Sequence, residues 1–112
     1  MAKAPTPLLS MLRETIISLV REDHTDLSAR QLAVLLVSSL DDGPHTVRGL
    51  AAHLEVAKPA ITRALDRLEQ FDLVKRIDDP TDRRSVHVGR TRAGGAYVER
   101  LRTIMTGAAA AA

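Results

Sequence analysis

The chain has 112 residues, a formal net charge of +2 and no cysteine, which bounds it to one domain with its own core and excludes disulfides, thiolate metal sites and thiol-based redox sensing. Phe71 and Tyr97 are its only aromatic residues, which argues against single-strand binding by base stacking and leaves duplex DNA as the nucleic acid to consider. No apolar run reaches the length of a membrane span, and the stretch from Met1 to Pro7 lacks the apolar region of a signal peptide, so the expectation is a soluble, cytoplasmic protein with no membrane partner.

Thr6 followed by Pro7 offers a capping residue and a proline at the first helical position, and a helix is predicted over 7–22. Its apolar residues Leu8, Leu9, Met11, Leu12, Ile16, Ile17, Leu19 and Val20 cover more than one face. Either the helix lies deep in its own core or part of it faces another subunit. Ser28-Ala29-Arg30-Gln31 is a capping box, with Leu27 and Leu32 at the staple positions. The run from Leu32 to Leu40 is apolar nearly all round and hence central, and Asp41-Asp42-Gly43-Pro44 ends it. Thr46 caps a third helix from Val47 to Leu54. A turn then leads to a fourth helix, with Lys58 predicted at the N-cap and Pro59 as the first helical residue. In that helix Ile61, Leu65 and Leu68 share the buried face, leaving Thr62, Arg63, Asp66, Arg67 and Gln70 outward.

Leu73 to Ile77 and Ser85 to Val88 are rich in β-branched residues, and the Asp-Asp-Pro-Thr-Asp cluster from Asp78 to Asp82 has turn chemistry. The two segments read as a hairpin whose tip carries Arg83 and Arg84. Thr91 then caps a last helix striped by Tyr97, Leu101, Ile104 and Met105. Charge follows the same division: residues 58–92 hold nine Lys/Arg against six Asp/Glu, and residues 1–57 hold five against seven. A helix followed directly by a basic hairpin is what a winged-helix DNA-binding domain needs. The expected fold is mainly α with a small β-hairpin, a winged helix-turn-helix.

This order of elements resembles the MarR family of winged-helix transcription regulators over about residues 28–95. Leu50-Ala51-Ala52-His53-Leu54 through Ile61-Thr62-Arg63 is similar to that family's helix-turn-helix. Leu68-Glu69-Gln70-Phe71-Asp72-Leu73-Val74-Lys75-Arg76 is similar to its passage into the wing, and Asp79-Pro80-Thr81-Asp82-Arg83-Arg84-Ser85 to its wing signature. Thr91-Arg92-Ala93-Gly94 is similar to the start of the following helix. Glu55 stands where glycine is frequent in the family and Asp72 where glycine is usual; aspartate tolerates the left-handed conformation, and glutamate tolerates it less well. The resemblance also implies a homodimer. Because the family's long sixth helix has no counterpart after Met105, the interface is expected on the terminal helices, about 7–22 and 92–106, through Leu12, Ile16, Ile17, Val20, Tyr97, Leu101, Ile104 and Met105.

By this resemblance the chain is a sequence-specific regulator of transcription on double-stranded DNA, expected to be a repressor. Helix 59–71 would enter the major groove and wing 78–86 the minor groove of a pseudo-palindromic operator. Arg63 is the first choice for reading a base, since a guanidinium can bond guanine O6 and N7 together. Thr62, Asp66 and Arg67 share its face. The alternative is a solvated face in which Arg63 and Arg67 pair with Asp66, Glu69 or Gln70. Lysine at an N-cap opposes the helix dipole, so Lys58 reads as a phosphate contact beside Pro59 and the helix N-terminus. Asp82, two residues from Arg84, is expected to hold its guanidinium, leaving Arg83 or Arg84 to enter the minor groove. The resemblance makes Asp82 and Arg84 the wing-tip element, with Arg83 on phosphate and Ser85 closing the signature. Lys75 and Arg76 at the wing base, and Thr46, complete the expected interface.

His24, His45, His53 and His87 are scattered without metal-ligand spacing, and no serine-histidine-acid arrangement or phosphate loop is present. No enzyme activity, metal or cofactor is expected. A winged helix can also serve as a protein–protein adaptor without binding DNA, which is the alternative reading. A small-molecule effector is left open.

Overall fold

The computed structural model describes residues 6–22, 24–82 and 84–111. In chain order these form α1 (Pro7–Glu22), α2 (Ala29–Leu40), β1 (His45–Thr46), α3 (Val47–Leu54), α4 (Lys58–Gln70), β2 (Val74–Asp78), β3 (Val86–Arg90) and α5 (Arg92–Ala111). The chain divides into two compact units, one of Leu27–Tyr97 and one drawn from its two ends, Met1–Asp26 and Val98–Ala112.

In the Leu27–Tyr97 unit, apolar positions of α2, α3 and α4 converge. Val34, Leu35, Leu50, Ile61, Leu65 and Leu68 are fully buried, and Val74 and Val88 bring the sheet into the same core. Each such side chain contributes about 1.5–3 kcal/mol relative to leaving it exposed. The sheet is antiparallel in the order β1-β3-β2. Val74 opposes Arg90 and Asp78 opposes Val86 across the hairpin, while His45 and Thr46 oppose Val88 and His87 on the other side of β3. This makes the sheet three-stranded where only a hairpin was expected, because β1 is a two-residue pairing with no periodicity of its own.

The helices start largely where their caps predict. Ser28 and Gln31 form the reciprocal capping box at 3.1 and 2.9 Å. Thr46 Oγ1 accepts from Gly49 N at 2.9 Å, and Thr91 Oγ1 from Gly94 N at 3.0 Å. The fourth helix departs from expectation: Ala57 is its N-cap, extended at φ −71, ψ 150, and Lys58 is already helical with Pro59 behind it. The first turn tolerates proline since its amide would be unpaired there anyway, and the extended residue is displaced one position upstream.

Glu55 and Asp72 do take the left-handed conformation, at φ 56 and 57. Each ends a helix in a Schellman arrangement. After α3, Val56 N donates to Ala51 O at 3.0 Å and Glu55 N to Ala52 O at 3.3 Å; after α4, Leu73 N donates to Leu68 O and Asp72 N to Glu69 O, both at 2.9 Å. The amide of Leu73 thus belongs to the end of α4, and that of Ser85 closes the wing turn onto Asp82 O at 3.0 Å. Both strands therefore begin one residue later than predicted. The chain turns from β3 into α5 so closely that a Cβ on Gly94 would overlap the backbone carbonyl of Leu73.

In the unit formed by the ends, Ser10 and Thr15 of α1 are buried together with Val98, Leu101 and Ala108 of α5. Thr6 Oγ1 accepts from Leu9 N at 3.2 Å, the predicted cap, and Thr15 Oγ1 donates to Met11 O at 2.7 Å, satisfying its buried hydroxyl. The small polar side chains of α1 thus turn inward. Five of its large apolar ones turn outward: Leu8 is 73 % exposed, Ile16 47 % and Val20 76 %, with Leu9 and Leu12 between. Two residues expected on a subunit interface are placed otherwise, since Tyr97 and Leu101 are buried inside the chain. An apolar stripe marks residues that leave water without saying what covers them. Ile17 and Ile104 are half-buried and Met105 is exposed. α5 runs on through the alanines, the best helix formers, to Ala111.

Candidate nucleic-acid interface

The start of α3, the start of α4 and the hairpin enclose a cleft of about 320 Å³ lined by Thr46, Val47, Arg48, Lys58, Thr62, Arg76, Arg84, Ser85 and Val86. Four cationic side chains and three hydroxyl residues therefore meet in one concavity, with no carboxylate in its lining. Six residues predicted from sequence are brought together here: Thr46, Lys58, Thr62, Arg76, Arg84 and Ser85. Arg48 was missed. It is a single exposed arginine on a short helix, and only the fold brings it beside Lys58 and Arg84.

The outward face of α4 continues from this cleft. Ala60, Ile61, Ala64, Leu65 and Leu68 are buried, and Pro59, Thr62, Arg63, Asp66 and Arg67 are exposed. Arg63 has no ion-pair or hydrogen-bond partner among the described residues, so its donors stand ready for a ligand. Arg67 is partly engaged: its Nη1 donates to Gln70 Oε1 at 3.1 Å and its guanidinium lies 4.6 Å from the centre of the Phe71 ring. Asp66 and Glu69 both accept from Arg76, Asp66 Oδ1 at 2.7 Å from Nη2 and Glu69 Oε1 from Nε. Burial acts to lower the Arg76 pKa, but the hydrogen bonds and charges of these two carboxylates outweigh it and the pKa is raised. Lys75, its neighbour on β2, falls on the opposite face of the strand and away from the cleft.

The wing loop is built on two aspartates. Asp79 Oδ1 accepts from the amide and hydroxyl of Thr81 at 2.9 and 2.7 Å, and Asp79 Oδ2 lies 3.2 Å from His87 Nε2. Asp82 Oδ1 accepts from the amide of Arg84 at 3.0 Å and Asp82 Oδ2 from the hydroxyl of Ser85 at 3.1 Å. Asp82 was expected to hold the Arg84 guanidinium. It folds the backbone beneath Arg84 instead, because an aspartate two residues ahead of an amide closes an Asx turn more readily than it reaches an outward side chain. The Arg84 guanidinium has no partner among the described residues. Arg83, expected on phosphate, lies outside the described residues.

The Thr81 hydroxyl, then the Thr81 amide, then His87 hold the Asp79 carboxyl at a pKa of about 2, down from the ordinary 3.8. Its contribution to stability is complete above the unfolded value and is lost as pH falls through the folded one. In thermal melts from roughly pH 5 down to pH 2, the gap between wild type and Asp79→Asn is expected to stay constant and then close below about pH 4. A gap that persists unchanged at the acid end would mean that Asp79 is not held in this way.

No group of His, Asp and Glu among the described residues is placed to hold a metal ion, and no helix among them is long and apolar enough to cross a membrane.

A family model described as the MarR family matches residues 27–86. Comparison with curated proteins finds no match. Among solved structures, the chain aligns with the transcriptional regulator Tm0710 from Thermotoga maritima at 25 % identity and a TM-score of 0.75, over 89 % of this chain and 68 % of that one. A mutant MarR from E. coli, solved in complex with operator DNA, aligns at 30 % identity and a TM-score of 0.69, over 88 % and 67 % of the two chains. The transcriptional regulator BldR from Sulfolobus solfataricus aligns at 30 % identity and 0.66, over 85 % and 66 %.

Proposed function

The chain belongs to the MarR family, winged-helix regulators of transcription and not enzymes, and on that premise we propose that it is a repressor that binds a pseudo-palindromic operator as a homodimer. The observation that carries the reading is the cleft in which Arg48, Lys58 and Arg84 converge beside the exposed face of α4, with Arg76 in its lining but paired to α4. A concavity lined by one sign of charge concentrates its field on an anion, and duplex DNA supplies a regular array of them. That a MarR relative was solved on operator DNA supports placing the same surface on a duplex here.

In this reading α4 lies in the major groove. Arg63, free of partners among the described residues, reads a base edge, a bidentate contact to guanine being worth about 1–3 kcal/mol of discrimination. Lys58 and the first amides of α4 hold a phosphate, and Arg48 adds a second backbone contact from α3. Arg84, raised on the Asp82 turn, enters the minor groove, where a narrow width deepens the negative potential. Arg67 contributes less because Gln70 and Phe71 already engage it. The exposed apolar face of α1 meets the same face of a second chain, so that two recognition helices address half-sites about one helical turn, ~10 bp, apart.

The test is quantitative binding to a duplex selected from random-sequence DNA and to an unselected one. Arg84→Ala is expected to weaken both and to lower the slope of log affinity against log salt by about one unit, without loss of thermal stability. Lys58→Ala should weaken both duplexes alike, and Arg63→Ala should erase preference at one base pair per half-site. Identical losses on both duplexes for Arg63→Ala and Lys58→Ala would overturn this division of labour, and unchanged binding in Arg84→Ala would put the wing outside the interface.

A further inference from the structure

Arg76 sits in the middle of β2, at the base of the wing, yet its guanidinium is spent on α4. Its Nη2 donates to Asp66 Oδ1 at 2.7 Å and its Nε donates to Glu69 Oε1. Asp66 and Glu69 are three residues apart and so neighbours on one helix face. Asp66 also stands three residues from Arg63, so the helix side assigned to DNA carries two carboxylates where phosphates would approach. Like charges brought together at an interface are strongly unfavourable. One guanidinium bridging both carboxylates offsets one of their two charges and so reduces that repulsion, and it does so from the strand that leads into the wing.

We propose that Arg76 is a positioning residue for DNA binding, partly offsetting the charge of Asp66 and Glu69 and fastening the wing base to the recognition helix, and that it acts through α4 without itself contacting phosphate. The inference rests on the DNA-binding reading above and assigns Arg76 a different part in it from Lys58 or Arg84. Two features support the assignment. The donors already used are those that face the helix, and the fork geometry of arginine reaches two separate carboxylates where the single ammonium of lysine satisfies one. As exposed pairs these bridges add little to folding stability. Their effect is expected in binding.

A double-mutant cycle separates the two roles. Arg76→Gln is made in the wild-type chain and in the Asp66→Asn/Glu69→Gln background, and binding to a duplex selected by the wild-type protein is measured at fixed salt, with a thermal melt of each variant. In the wild-type background Arg76→Gln is expected to weaken binding by about tenfold or more, since it exposes two unpaired carboxylates. In the background without those carboxylates the same change is expected to cost less than about threefold, because nothing remains to neutralise. Glu99→Gln, which removes a carboxylate far along the sequence on α5, should not rescue Arg76→Gln, so the rescue is local and not one of net charge. Equal losses in both backgrounds, with a salt slope lower by about one unit, would show a direct phosphate contact and overturn the proposal. So would no loss in either. Should Arg76→Gln fail to melt cooperatively, Arg76→Met, which keeps the apolar stem and removes the charge, is carried through the same cycle under the same criterion. A wild-type chain that binds no duplex would overturn the DNA-binding reading itself, and this inference with it, a result distinct from equal losses.

Discussion

Ile16→Glu is expected to give a folded monomer that has lost about 10²–10⁴-fold in operator affinity. Ile16 lies on the outward apolar face of α1 with Leu8, Leu9, Leu12 and Val20, and a contiguous apolar face of this kind marks a surface that another molecule covers. A carboxylate there would have to be buried unpaired in a dimer, at a cost that outweighs what one side chain contributes to the contact. In the isolated chain the position is half open to water, so the same change should leave the melting temperature of a monomer nearly untouched. Val20→Glu should behave alike. The loss in affinity follows from geometry: one recognition helix and one wing touch too little DNA for tight specific binding, and the second half-site adds its contacts at high effective concentration only when the two chains are joined. Light scattering at micromolar concentration gives the oligomeric state, and binding to one and two half-sites gives the affinity. A wild-type monomer that still binds its operator tightly would end the dimer reading and leave the winged helix standing.

Gly94→Ala should lower stability by about 3 kcal/mol or more, toward the upper end of what overpacking costs, because the added methyl would meet backbone and not a yielding side chain. A Cβ at this position overlaps the carbonyl of Leu73, and that carbonyl also accepts from the amide of Thr91 at 3.3 Å. The Thr91 hydroxyl donates to Asp72 O as well, so the exit from α4 and the start of α5 are stitched at several points and cannot separate to make room. For a domain of this size the loss corresponds to a fall in melting temperature of roughly 10 °C or more. Gly107→Ala, where a Cβ meets nothing within 4 Å, is the matched control and should leave stability unchanged or slightly raised. Equal melting temperatures for the two variants would mean that the approach at Gly94 is not as close as described.

What could be read from sequence was what neighbours within a few residues decide. The caps at Ser28, Thr46 and Thr91 follow from a hydroxyl three residues ahead of an amide, and the buried stripe of α4 from helical spacing. The left-handed turns at Glu55 and Asp72 were expected only from a resemblance, at places where propensity alone would choose glycine. What escaped was set by distant segments. A two-residue strand acquires meaning only when β3 arrives 40 residues later, and Arg48 joins Lys58 and Arg84 only after three elements are packed. Arg76 is the instructive case among the predicted site residues. Its basic character placed it in the interface, but the carboxylates that claim its donors lie seven and ten residues back on another element, a distance no local rule spans.

Thr46 belongs to two elements at once. As a strand residue it is the partner of His87 on β3, and as an N-cap its hydroxyl receives the amide of Gly49 at the start of α3. The far limb of the wing and the first turn of the helix-turn-helix are therefore geared through one residue. A groove that pushes the hairpin sideways must drag the head of α3 with it or strip out the short ladder between β1 and β3. The protein would then sense groove width as a torque on its own frame, and sequences that hold the groove at the wrong width would be disfavoured without any base being touched.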